Sequence, residues 1–196
     1  MRPSSGTTDP RLRIAAMVLV LLLFPVAYVA AINAMLPHES LAFEIGWTEQ
    51  SFSGWTVNAS SGTNAVLAIS NGTLSVISTA TVTQDQFVAA ESPNLSAVNV
   101  TRYPFLIVSV RAPAYFVAAR IGIWTGKGPL VLVLAKTYPD TAWHTEVIDL
   151  RFFGLSWEAP IRTLQLGWGS VEKPAPAGTQ VQFQGLELAR RMGGTP

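Results

Sequence analysis

The sequence predicts an antiparallel β-sandwich or barrel carried behind one apolar helix, and three observations predict it. Residues 14–36 hold no charged side chain over 23 positions. Residues 41–190 fall into short runs rich in Val, Ile, Leu, Phe and Thr, divided by Gly, Pro, Asn and Ser; runs spaced by about 8–12 residues with turn signals between them belong to sandwiches and barrels. No window of that region carries a 3.6-residue apolar stripe free of Gly or Pro, so helix is expected only in the first segment.

The apolar run, IAAMVLVLLLFPVAYVAAINAML, is long enough to cross a bilayer core about 30 Å thick with some tilt, and Pro25 is tolerated within a spanning helix. Arg2, Arg11 and Arg13 precede it, whereas Glu39, Glu44 and Glu49 follow it with no Lys or Arg before Arg102. Positive charge stays cytoplasmic, so residues 1–13 are expected inside and residues 38–190 outside, with 191–196 as a flexible tail. The same stretch also reads as a cleaved signal peptide, with Ile14–Phe24 as its apolar region and Ala30, Ala31 and Ala34 near the cleavage site. Both readings place one β domain outside a cell membrane.

Composition narrows the function. The chain of 196 residues has net charge +1 and 13% charged residues, without the basic surface that nucleic-acid binding needs. It has no Cys, which removes disulfides, thiolate metal sites and cysteine nucleophiles and favours a prokaryotic source for an exported domain. His38 and His144 have no third ligand near them in sequence, so no metal and no other cofactor is expected. Glu146 and Asp149 fall on opposite faces of one strand and cannot form an acid–base pair alone, so Asp149 is expected to pair with Arg151 or to cap a neighbouring turn. No GxSxG, phosphate-binding glycine loop or HExxH occurs, and no catalytic residue is assigned.

Strands are predicted near 41–46, 54–59, 64–69, 72–79, 82–89, 104–111, 115–124, 130–137, 144–151, 161–168 and 180–189. Ser70-Asn71-Gly72 is a hairpin signal because Asn and Gly accept positive φ, and Gly126-Lys127-Gly128-Pro129 reads as a second tight connection. Gly185 is a candidate bulge: Val181 and Phe183 share one parity, Leu186 and Leu188 the other. PFLIVSV and PLVLVLA are apolar at both parities, as in strands covered on both faces or lying centrally. Leu164, Leu166 and Trp168 mark a strand with one buried side, and Arg162 is placed at its wet end.

The order of GWTVNAS (54–60), NGTLSVIS (71–78), YPFLIVSVRA (103–112), ARIGIW (119–124), WHTEVIDL (143–150), IRTLQLGW (161–168) and VQFQGLELAR (181–190) resembles the galactose-binding-like jelly rolls, a superfamily that includes many carbohydrate-binding modules. The resemblance implies a jelly-roll β-sandwich that binds or scaffolds, with sugar as the leading ligand class. The structural calcium site frequent in that superfamily needs clustered acids; here they are scattered, so no metal is carried over.

Six Trp are present. Trp rings supply the flat apolar faces that sugars need, yet they also fill cores. Trp55 and Trp143 are read as core, Trp124 and Trp157 as ligand candidates. Arg120, Gly122 and Trp124 share one parity and could face solvent, with Arg111, Lys136 and Gln165 as possible neighbours. Asn58, Asn71, Asn94 and Asn99 begin Asn-X-Ser/Thr sequons, either glycosylation acceptors or accidents of a Ser/Thr-rich chain. The expected function is a non-catalytic domain that binds a glycan or an envelope protein. The alternative is an accessory subunit of a surface assembly, of pilus or archaellum type; a hydrolase ranks third.

Overall fold

A computed structural model describes residues 42–95, 100–113, 115–153, 155 and 160–192. The apolar run at 14–36, Trp157 and Asn99 lie outside the described residues. Among the described residues no helix is long and apolar enough to cross a membrane.

Eleven strands form two antiparallel sheets: β1 Phe43–Thr48, β2 Thr56–Ala59, β3 Ala65–Ser70, β4 Thr73–Ser78, β5 Phe87–Glu91, β6 Phe105–Arg111, β7 Val117–Trp124, β8 Val131–Lys136, β9 His144–Asp149, β10 Thr163–Ser170 and β11 Gln180–Arg191. The six-stranded sheet runs β3-β4-β11-β6-β9, with β1 also paired to β11; the five-stranded sheet runs β2-β5-β10-β7-β8. Alternate residues of each strand turn inward. Leu74 and Val76, Leu106 to Val110 at every second position, Phe183, Leu186 and Leu188 meet Val88, Ile121, Ile123, Leu164, Leu166 and Trp168 in one core. Trp168 ties the two layers together, because its buried indole Nε1 on β10 donates to the Val76 carbonyl on β4 at 2.9 Å.

Local chemistry fixes several joints as the sequence predicts. Asn71 (φ 49°) and Gly72 (φ 71°) occupy the two left-handed positions of the β3–β4 hairpin, the conformation of a type I′ turn. Gly185 has φ 60°, and the β11–β6 register jumps between Gln184 and Glu187. The bulge switches parity, so Val181, Phe183, Leu186 and Leu188 are all fully buried. Trp55 is core, its indole Nε1 bonded to Glu49 Oε2 at 3.0 Å. Asp149 pairs with Arg151 at 2.5 Å, and Arg162 is exposed.

Other expectations are corrected. Trp143 is 37% exposed rather than core; it immediately precedes β9, an edge strand of its sheet. PLVLVLA is neither central nor covered on both faces: β8 is the edge of the five-stranded sheet, and Leu132 is 45% exposed. The run predicted at 82–89 begins its strand at Phe87, because Val82 instead makes an isolated bridge to Ala175. The strand predicted to reach residue 151 ends at Asp149 and turns into a 3-10 helix, Leu150–Phe153. β11 runs on to Arg191, where β1 pairs with it.

Candidate functional site: a trough across the five-stranded sheet

Strand register brings distant residues into rows on the outer face of the five-stranded sheet. One row reads Thr56 (β2), Glu91 (β5), Gln165 (β10), Gly122 (β7) and Leu132 (β8). The next reads Asn58, Ala89, Gly167, Arg120 and Ala135 in the same strand order. Gly122 in the first row, and Ala89 and Gly167 in the second, leave the middle strands thinly covered.

The result is a trough of about 210 Å³, below the ~300–1,000 Å³ of pockets that enclose drug-sized ligands. Ala89, Gly122 and Gly167 form its floor, Leu130, Leu132 and Phe87 line it with apolar surface, and Gln165 and Arg120 supply polar groups. Sterics dictate the floor. A Cβ at Gly167 would stand 2.4 Å from the Val88 carbonyl oxygen and 2.5 Å from Ala89 Cβ, and one at Gly122 would meet Leu130 at 2.8 Å.

At the polar end Glu91 organises two amides. Its Oε2 accepts from Asn58 Nδ2 at 2.7 Å and from Gln165 Nε2 at 2.8 Å. Both amide carbonyls are thereby turned away from the carboxylate, fixing how the pair presents its donors and acceptors. Arg120 differs, since its Nε is buried and has no hydrogen-bond partner.

Of the sequence candidates, Arg120 lines the trough directly, and Gln165 is its true neighbour. Trp124 is on the same outer face and 39% exposed, but it stands past Gly122 at the end of β7, opposite Thr163. Its Nε1 donates to the Gly128 carbonyl at 3.1 Å, which holds the ring on the β7–β8 loop beside the trough. Arg111 belongs to β6 in the other sheet and donates to the Thr141 carbonyl at 2.9 Å. Lys136 turns from the trough to Glu146 at 2.7 Å. Asn58 is half-buried on the candidate face, whereas Asn71 and Asn94 are exposed.

Sequence reasoning missed Phe87, Leu130 and Leu132, whose apolar character reads as core, and Glu91. The parity of Gly122 with Arg120 was a usable signal for part of the floor. Nothing local in sequence places Ala89 and Gly167 beside it. Among the described residues no group of three or more His, Asp or Glu is arranged to hold a metal ion.

No protein-family model matches the sequence, and no curated protein matches it. Solved structures do match in fold. A family 11 carbohydrate-binding module from Clostridium thermocellum, in complex with a β-1,3-1,4-mixed-linked tetrasaccharide, superposes with TM-score 0.54 at 14% identity, over 79% of this chain and 100% of that one. The family 11 module of a cellulosomal cellulase from the same organism gives TM-score 0.51 at 14% identity, over 76% of this chain and 95% of that one. A family 11 module studied in solution gives 0.51 at 13% identity, over 80% and 99%. At such identities the likeness is one of fold: two antiparallel sheets arranged as in carbohydrate-binding jelly rolls.

Proposed function

We propose that the domain is a non-catalytic glycan-binding module, held outside a cell membrane by the apolar segment 14–36, and that it binds sugar in the trough. The observation that carries this reading is the trough itself. Its floor is bare backbone and Ala89, its walls are apolar, and fixed amides stand at one end. A pyranose presents the complementary surface, an apolar C–H face rimmed by hydroxyls. The fold shared with a carbohydrate-binding module solved in complex with a tetrasaccharide supports the reading by analogy.

The carboxylates favour binding over hydrolysis. Glycosidases hold two of them about 5–10 Å apart, but the five strands of this sheet carry one, Glu91, and it is engaged by two amides. Exported orientation rests on the Arg residues before the apolar run and the acids after it. Asn71 and Asn94 are the sequons whose exposure suits glycosylation; Asn58 serves the trough.

A second reading, an accessory subunit of a surface assembly, is favoured by the opposite sheet. There Ile45 (42% exposed) on β1 and Val147 (45%) on β9 are exposed apolar residues, and Phe152 (83%) follows in the 3-10 helix after β9. Glycan-array binding by the full chain in nanodiscs decides between them. Binding that is lost in Gln165→Ala and Leu132→Asp supports the module. A chain that binds no sugar and co-purifies with a stoichiometric membrane partner supports the subunit.

A further inference from the structure

We propose that the trough selects acidic glycans, with Arg120 receiving an oxyanion carried by the sugar. The inference rests on the glycan-binding reading and adds the charge class of the ligand.

Among the described residues, Arg120 is the one charged side chain lining the trough. Its guanidinium packs over Gly169 of β10: a Cβ there would fall 3.1 Å from its Cζ and 3.2 Å from its Nε, so a side chain at 169 would crowd it. The Nε is shut off from water yet bonded to nothing. Three other arginines are engaged. Arg111 donates to Thr141, Arg151 forks onto Asp149, and Arg190 pairs with Glu44.

Among the described residues Arg120 is in no ion pair. Glu91 sits two strands away on β5, in the adjacent row, with Oε2 saturated by Asn58 and Gln165. The protein thus keeps a cation without a counter-ion in a trough walled by Phe87, Leu130 and Leu132. A partly desolvated charge gains most from a partner of opposite sign. A planar guanidinium fork matches a carboxylate bidentately and also accepts a sulfate ester, whereas a neutral hydroxyl leaves the charge uncompensated.

The test uses the full chain in nanodiscs of neutral lipid. The probes are oligogalacturonate, glucuronoxylan and hyaluronan oligosaccharides, each against its carboxyl-reduced counterpart, with chondroitin against chondroitin sulfate as the sulfate arm. One acidic member should bind about ten- to a hundredfold tighter than its neutral twin, and the preference should shrink as salt rises. Arg120→Gln should abolish the preference, and Arg120→Lys should restore part of it. A unique gain from chondroitin sulfate assigns the oxyanion to sulfate; a gain from uronate alone assigns it to carboxylate. Tight binding of neutral glycans, unchanged in Arg120→Gln, overturns the charge selection and leaves the glycan reading standing. Failure to bind any probe or neutral glycan overturns both.

Discussion

The two outer faces of the sandwich solve the same problem in opposite ways. Across the six-stranded sheet, polar side chains satisfy one another: Gln182 Nε2 donates to Ser75 Oγ at 3.2 Å, Thr73 Oγ1 to Gln184 Oε1 at 3.4 Å, and the Ser109 and Thr145 hydroxyls hydrogen-bond at 2.9 Å. Across the five-stranded sheet, Ala89, Gly122, Gly167 and Gly169 place almost nothing over the backbone. The first face carries its own partners; on the second, Asn58, Glu91 and Gln165 bond one another at one end, while Arg120 Nε and the apolar wall are left to be matched from outside. Even the hollows follow this rule. A hollow near the end of the six-stranded sheet includes Arg111, whose Nε is already bonded to Thr141.

The strongest way to break the contrast is to give the bare face a side chain. Gly167→Val would drive a branched Cβ into the Val88 carbonyl and Ala89, separating β5 from β10. The expected cost is about 3 kcal/mol, read as a lower midpoint in chemical denaturation. Gln184→Ala on the other face removes one long, weak hydrogen bond and is expected to cost about 0.5 kcal/mol. Equal losses would show that the bare floor is not a steric requirement.

Beneath the trough, Trp168→Phe keeps most of the packing and removes the indole donor to Val76. About 1–2 kcal/mol should be lost, because that bond joins the two layers whose outer faces differ. The measurement is again equilibrium unfolding, with near-ultraviolet dichroism to check that the sandwich persists.

Much of this architecture was legible from residues whose effect is local. Asn71-Gly72 announces its turn, Gly185 announces its bulge by the parity switch around it, and Asp149 announces Arg151 two positions away. The trough was not legible in the same sense. Its polar end joins Asn58, Glu91 and Gln165, separated by 33 and 74 positions, and its floor exists only because β5, β10 and β7 are neighbours. Periodicity reports which side of a strand is apolar, not which strand lies beside it. Leu130 and Leu132 show the consequence: read alone they belong to a covered strand, but at a sheet edge they become the wall of a surface trough. Trp143 fails likewise, being apolar in sequence yet half-exposed beside an edge strand.

A milder perturbation separates binding from stability. Leu132 is outward and 45% exposed, so Leu132→Asp should change stability by no more than about 0.5 kcal/mol while glycan binding collapses. Gln182→Ala on the opposite face should leave binding intact. If both variants bind normally, the ligand sits elsewhere.

The smallest effects concern the arginines, and they sharpen the contrast most. Arg151 lies over the Phe105 ring at 5.2 Å and chelates Asp149, and its guanidinium holds the Asp149 carboxyl below the usual carboxylate range. A carboxyl depressed in the folded state contributes stability above its unfolded value of about 3.9 and loses it as pH falls through the folded value. Arg151→Gln should therefore lower the melting temperature at pH 7, only slightly because solvent screens a pair this exposed, and the difference should fade as pH falls below about 3.9. Arg120→Gln has no such partner to lose and relieves a buried, unbonded Nε. Its melting temperature should hold or rise, with no added acid dependence. A loss on Arg120→Gln comparable to that on Arg151→Gln would mean that Arg120 stabilises the sheet, and the two faces would then differ in shape alone.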